Sequence, residues 1–95
     1  MNDEEPVKLP ITDTLDLHTF RPTDLSALVP DYLSECRARG ILQVRVIHGK
    51  GVGNIRKSVH AILSRLEYVA SFSDASALYG GLGATIVNLR PAREE

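Results

Sequence analysis

Between Val44 and Lys57 the chain reads Val-Arg-Val-Ile-His-Gly-Lys-Gly-Val-Gly-Asn-Ile-Arg-Lys, and no other stretch restricts the fold as tightly. Its opening, Val44-Arg45-Val46-Ile47, is rich in β-branched side chains and reads as a short strand. Gly49, Gly51 and Gly53 then fall at alternate positions. After them Ile55, Val59, Ile62, Leu63 and Leu66 keep the i, i+4, i+7, i+8, i+11 spacing of a helix with one apolar face. Strand, glycine turn and helix in that order predict an α/β unit. Its loop leaves backbone N–H groups free at a helix N-terminus, where a phosphate can be held. Lys50, Arg56 and Lys57 add positive charge there, and His48 stands where strand becomes loop.

The rest of the chain supplies partners for this unit. Residues 1–12, with early acids and two prolines, predict a loose arm; residues 13–91 form the domain, and 92–95 a charged tail. In Leu15-Asp16-Leu17-His18, strand alternation puts both leucines on one face and Asp16 with His18 on the other. Thr23, in the turn Arg21-Pro22-Thr23-Asp24, suits the N-cap of a helix whose stripe is Leu25, Leu28, Val29, Tyr32, Leu33 and Cys36. Gly40 stops that helix, and Pro30 predicts either a kink or a restart inside it. Strand–helix–strand implies a parallel pair, so His18 and His48 come to the same sheet edge, the C-terminal edge where open α/β sheets bind ligands. Tyr68 to Asp74 reads as a further strand, with Val69, Ser71 and Ser73 opposing Ala70, Phe72 and Asp74. A loop with Gly80, Gly81 and Gly83 then leads to an antiparallel last strand, Ala84 to Leu89. His60, one position past Val59, falls off the apolar stripe and is expected at the flank of the core or in solvent.

At 95 residues the chain suffices for one domain. It has no apolar run approaching a membrane span, and its acidic first residues argue against a targeting peptide, so a cytoplasmic location is expected. Its single cysteine, Cys36, excludes an internal disulfide framework or a cysteine zinc cluster and reads as a packed thiol. The formal net charge of −1 conceals an uneven distribution. From Cys36 to Leu66 the charged residues are Arg37, Arg39, Arg45, Lys50, Arg56, Lys57 and Arg65, with no acid among them. Such a window is either a footprint for a phosphate backbone or an ordinary solvated face.

The glycine loop matches neither nucleotide fingerprint. Arg56 stands where the dinucleotide motif needs its third glycine, and Lys50 is followed by Gly51 rather than Ser or Thr, unlike a P-loop. Asp16, His18 and His48 are competent metal ligands, but their spacing is no known signature. No metal site is assigned; a divalent ion stays open as a cofactor.

Three blocks together are more specific: Leu15-Asp16-Leu17-His18, Ile47-His48-Gly49-Lys50-Gly51, and Gly80-Gly81-Leu82-Gly83-Ala84-Thr85-Ile86-Val87. In order and separation they resemble the small MutS-related (Smr) domain over residues from about 14 to 90. The resemblance implies a two-layer α/β sandwich, β-α-β-α-β-β, with two helices on one face of a four-stranded mixed sheet. That fold is similar to the C-terminal domain of translation initiation factor three. It also implies nucleic-acid binding and, for several members, endonuclease activity on DNA or RNA, in settings such as DNA repair or RNA quality control. Some members are appended to MutS-type ATPases; this one would stand alone. The family's strand motif falls on Leu15, Asp16 and His18, its turn motif on His48, Gly49 and Gly51. One position departs, since the usual glycine after the first histidine is Thr19.

The residues expected at the site take distinct roles. His18 is the candidate general base or acid, Asp16 would stabilise its charged imidazole, and His48 would be a second proton-transfer group or phosphate donor. Gly49, Lys50, Gly51, Gly53, Arg56 and Lys57 would hold phosphates. The competing reading is a non-catalytic module that uses the same basic edge on nucleic acid or a ribosomal surface. A small-phosphate enzyme remains a third.

Overall fold

The structure is a computed structural model that describes residues 10–49, 54–79 and 81–92. In chain order the elements are β1 (Thr14–Asp16), α1 (Leu25–Ala38), β2 (Gln43–Ile47), α2 (Asn54–Ser64), β3 (Val69–Asp74) and β4 (Ala84–Leu89), with short 3-10 turns at Pro22–Asp24, Ala77–Tyr79 and Gly81–Gly83. The strands form one mixed sheet in the order β1-β2-β4-β3. β1 pairs with β2 in parallel, Asp16 beside Ile47, while β4 runs antiparallel between β2 and β3. This is the expected mixed sheet carrying two helices. Among the described residues no helix is long and apolar enough to cross a membrane.

Alternation decides which face the helices cover. Leu15, Leu17, Val44, Val46, Val87 and Leu89 are buried together with Leu25, Val29, Leu33 and Cys36 of α1 and Val59 and Leu63 of α2. Thr14, Asp16, Gln43, Arg45, Ile86 and Asn88, on the opposite pleats, make a mostly polar uncovered face on which Gln43 Nε2 donates to Asn88 Oδ1 and Asn88 Nδ2 to Ser71 Oγ.

Several local details differ from the sequence reading. α1 runs unbroken through Pro30, so the ring costs one backbone bond and does not divide the helix. The helix begins at Leu25 after a 3-10 turn, and there the Arg21 N–H donates to Asp24 Oδ2 at 3.2 Å; Thr23 does not cap it. At the other end, Gly40 has φ +80°. Ile41 N–H reaches Cys36 O at 2.8 Å and Gly40 N–H reaches Arg37 O at 3.1 Å, the Schellman closure that a positive φ allows. In β3 the simple alternation fails because the register slips between Val69 and Ser71. Ala70 is the extra residue, and the bulge brings Val69, opposite Leu89, and Phe72, opposite Val87, onto the same face.

Part of the expected arm is fastened. Thr12 N–H donates to the Tyr32 hydroxyl at 3.0 Å, and that hydroxyl lies within 3.2 Å of the carbonyls of Pro10, Thr12 and Thr14. The expected arm before Pro10 and the tail after Ala92 lie outside the described residues.

Cys36 is fully buried, and burial raises its thiol pKa. Replacing it with Ala should therefore cost about 1 kcal/mol of stability in denaturant titration and change no activity per folded molecule. The native thiol should resist alkylation until the domain unfolds. Fast labelling of the folded protein would contradict this packing.

Candidate functional site

Asp16 ends β1, and the chain turns immediately after it. Asp16 Oδ1 accepts two bonds from His18, one from the backbone N–H at 3.0 Å and one from ring Nδ1 at 2.8 Å. A carboxylate oxygen only accepts, so Nδ1 carries the proton and the neutral ring keeps a bare Nε2. Those two bonds hold the Asp16 pKa below its ordinary value. The His18 side chain is 72% exposed, so this oriented imidazole is open to a substrate. Thr19 lies in the same turn, where Phe20 N–H returns to Leu17 O at 3.0 Å. Among the described residues no side-chain-bearing residue has a positive φ, so this turn does not need a glycine at position 19.

His48 follows β2 at the same sheet edge but turns the other way. Alternation after Val44 and Val46 carries it to the helix-covered face, where it is 7% exposed. Its Nε2 meets Thr85 Oγ1 at 2.8 Å, and its Nδ1 meets Gly49 O at 3.2 Å. His60 of α2 reaches the same hydroxyl with Nε2 at 2.9 Å. The His60 ring sits edge-on to His48 at 6.2 Å and to Phe72 at 4.9 Å. Burial, then the Arg56 charge, lower the His60 pKa, against an opposing contribution from Asp74.

The expected phosphate-binding group is redistributed. The N–H groups of His48 and Gly49 both point at Gly83 O, at 3.0 and 2.9 Å, so the Gly49 amide is already engaged. Gly49 contributes its backbone shape instead, with φ +83°. Arg56 forks onto Asp74, its Nη2 at 2.7 and 2.8 Å from the two carboxylate oxygens. Arg37 donates to the Arg90 and Pro91 carbonyls, and Arg39 pairs with Glu35. The basic window is thus partly consumed inside the fold. Lys57 is exposed and in no ion pair among the described residues; Lys50, Gly51 and Gly53 lie outside them. No group of three or more His, Cys, Asp or Glu able to hold a metal occurs among the described residues.

Sequence reasoning left His60 unassigned and did not single out Thr85. A signal for Thr85 existed, since it is the polar member of the buried alternation Thr85, Val87, Leu89. The site itself is a rim. A depression of about 310 Å³ on the uncovered face is lined by Asp13, Thr14, Gln43, Arg45 and Ile86, and an open one of about 210 Å³, lined by Pro10, Thr12, Thr14, Leu15, Asp16 and Tyr32, reaches the site through Asp16; neither is lined by His18 or His48. Small molecules are usually held in enclosed concave pockets, whereas an exposed rim suits an extended polymer.

A model of the Smr domain family matches residues 15–90. The endonuclease MutS2 of Halalkalibacterium halodurans is 42% identical over 76 residues, covering 80% of this chain and 10% of that protein. The endonuclease MutS2 of Thermus thermophilus is 39% identical over 77 residues, covering 81% and 10%. The chain thus spans about a tenth of the length of these relatives. The crystal structure of the Smr domain of Thermus thermophilus MutS2 superposes with a TM-score of 0.79 at 38% identity, covering 84% of this chain and all of that one. The stand-alone small MutS-related protein YdaL of Escherichia coli gives 0.74 at 30% identity, covering 87% and 68%.

Proposed function

This chain belongs to the Smr domain family, and on that premise we propose that it binds nucleic acid and cuts the sugar–phosphate backbone. The observation that carries the reading is the 2.8 Å bond between Asp16 Oδ1 and His18 Nδ1 at an exposed strand end. It leaves Nε2 of His18 free to take the proton of an attacking hydroxyl, from water or from a ribose. As that oxygen bonds to phosphorus, the P–O bond to the leaving oxygen breaks and the leaving oxygen takes up a proton from solvent water, while His18 later returns its own to solvent. Asp16 stabilises the imidazolium so formed. The relatives named endonucleases support this activity. Either a DNA repair or an RNA quality-control setting in the cytoplasm agrees with it.

Purified protein incubated with supercoiled DNA and with structured RNA, with and without chelator, tests the proposal and identifies the substrate. Nicking or cleavage in either arm is expected. Binding without cleavage in every arm would leave a nucleic-acid or ribosome-binding module.

Affinity should fall steeply with added salt as the protein neutralises phosphates. Arg56 is held by Asp74, so the informative variant joins Lys50→Ala to Lys57→Ala. It should weaken binding alike across unrelated sequences and lower the log–log salt slope by about 0.9 for each phosphate that the variant leaves unneutralised. An unaltered slope in electrophoretic or fluorescence titrations would remove these lysines from the interface.

A further inference from the structure

His48, Thr85 and His60 form a chain of hydrogen bonds whose direction can be worked out. Gly49 O can only accept, so His48 Nδ1, 3.2 Å away, is the donor. Neutral His48 then has a bare Nε2, which accepts the Thr85 hydroxyl proton across 2.8 Å. A hydroxyl has one proton to give, so Thr85 must accept from its other neighbour. His60 Nε2–H donates to it at 2.9 Å. The chain runs from α2 through β4 to the end of β2. No buried side-chain nitrogen or oxygen is without a partner among the described residues, and Thr85 is completely enclosed. A second proton on His48 would turn Nε2 into a donor. The Thr85 oxygen would then either accept from both rings, leaving its own enclosed proton unpaired, or rotate toward a His60 stripped of its Nε2 proton.

We infer that Thr85 and His60 are positioning residues for the site. Together with the Gly49 carbonyl, their two hydrogen bonds fix His48 in its Nδ1–H tautomer and so hold the backbone at Gly49, where the glycine turn leaves the sheet. The inference rests on the functional reading above, because it assigns these residues to the site that contacts nucleic acid. His60 is not a catalytic group: Thr85 stands between it and His48. The charged or titratable groups facing it are Arg56 on its own helix, Asp74 on β3 and His48 just after β2, and its burial favours the neutral ring that the chain requires. Phe72 packs edge-on against the same ring and holds its plane.

Long-range 1H–15N correlation of the imidazoles in the free protein tests the chain without nucleic acid or cleavage. This separates failure of the inference from failure of the functional reading. Near neutral pH, His48 should be the Nδ1–H tautomer and His60 the Nε2–H tautomer. Thr85→Val, which keeps the branched shape and removes the hydroxyl, should convert His48 to a tautomer mixture and shift the Gly49 amide. It should also weaken nucleic-acid binding by about tenfold, the equivalent of about 1.4 kcal/mol. Thr85→Ser should restore the tautomer, the amide shift and the affinity. His60→Leu, which removes the donor but leaves Thr85 in place, covers the case in which Thr85→Val fails to fold and should broaden the His48 tautomer signal likewise. An Nε2–H tautomer for His48 in the wild type would overturn the inference. So would a folded Thr85→Val protein with wild-type His48 signals, or a Thr85→Ser protein no better than Thr85→Val.

Discussion

His18→Ala should reduce cleavage by about a hundredfold or more, the usual contribution of a positioned general acid or base. The loss should lie in the rate at saturating substrate, since binding depends mainly on phosphate contacts made elsewhere on the domain. Packing should hardly change: the His18 side chain is 72% exposed, and its partner is Asp16, itself at the surface. A melting curve close to wild type, retained affinity and lost cleavage is the expected combination. Cleavage at the wild-type rate would remove His18 from the chemistry. A loss accounted for by weaker binding would make it a phosphate ligand.

The fold was legible because apolar spacing and core burial express the same periodicity. The stripe Ile55, Val59, Ile62, Leu63, Leu66 all packs into or against the core, and the alternation Leu15, Leu17 does the same on β1. The β3 bulge was not legible, because the sequence does not mark Ala70 as the residue the ladder skips. At the site, Asp16 and His18 were readable as a pair: they are two residues apart on one strand end, and local geometry brings them together. The fate of Arg56, on α2, was not, since its partner Asp74 lies 18 residues away at the end of β3. The same holds for the buried bridge, where Thr85 is 37 residues from His48 and 25 from His60. Spacing along the chain says nothing about such tertiary meetings. The all-basic count from Cys36 to Leu66 overstated the free charge for this reason.

A graded series at Asp16 should separate holding the ring from charging it. Asp16 Oδ1 accepts from both the His18 backbone and Nδ1, so one oxygen fixes the turn and the tautomer together. Asp16→Ala removes that oxygen, and the imidazole is then free to rotate and to change tautomer. Its loss of cleavage should approach that of His18→Ala, about a hundredfold. Asp16→Asn keeps a carbonyl oxygen able to accept the same two bonds, while losing the negative charge and exchanging Oδ2 for an NH2 donor, so its deficit should be smaller. Because the two side chains act as one unit, adding Asp16→Ala to His18→Ala should cost almost nothing more. The pH dependence of stability has a definite sign. The depressed folded-state pKa of Asp16 means its stabilising contribution is present above the ordinary carboxylate range and is lost as pH falls through the lowered folded value. Asp16→Asn should abolish that part of the acid dependence in urea titrations. If Asp16→Asn instead matches Asp16→Ala in activity, the charge itself is required, for imidazolium or for a divalent ion. Chelator and added divalent ions would tell these apart, since only the second restores activity as the ion is titrated in. Multiplicative losses in the double variant would mean that Asp16 and His18 act on separate steps, and the pairing would have to be abandoned.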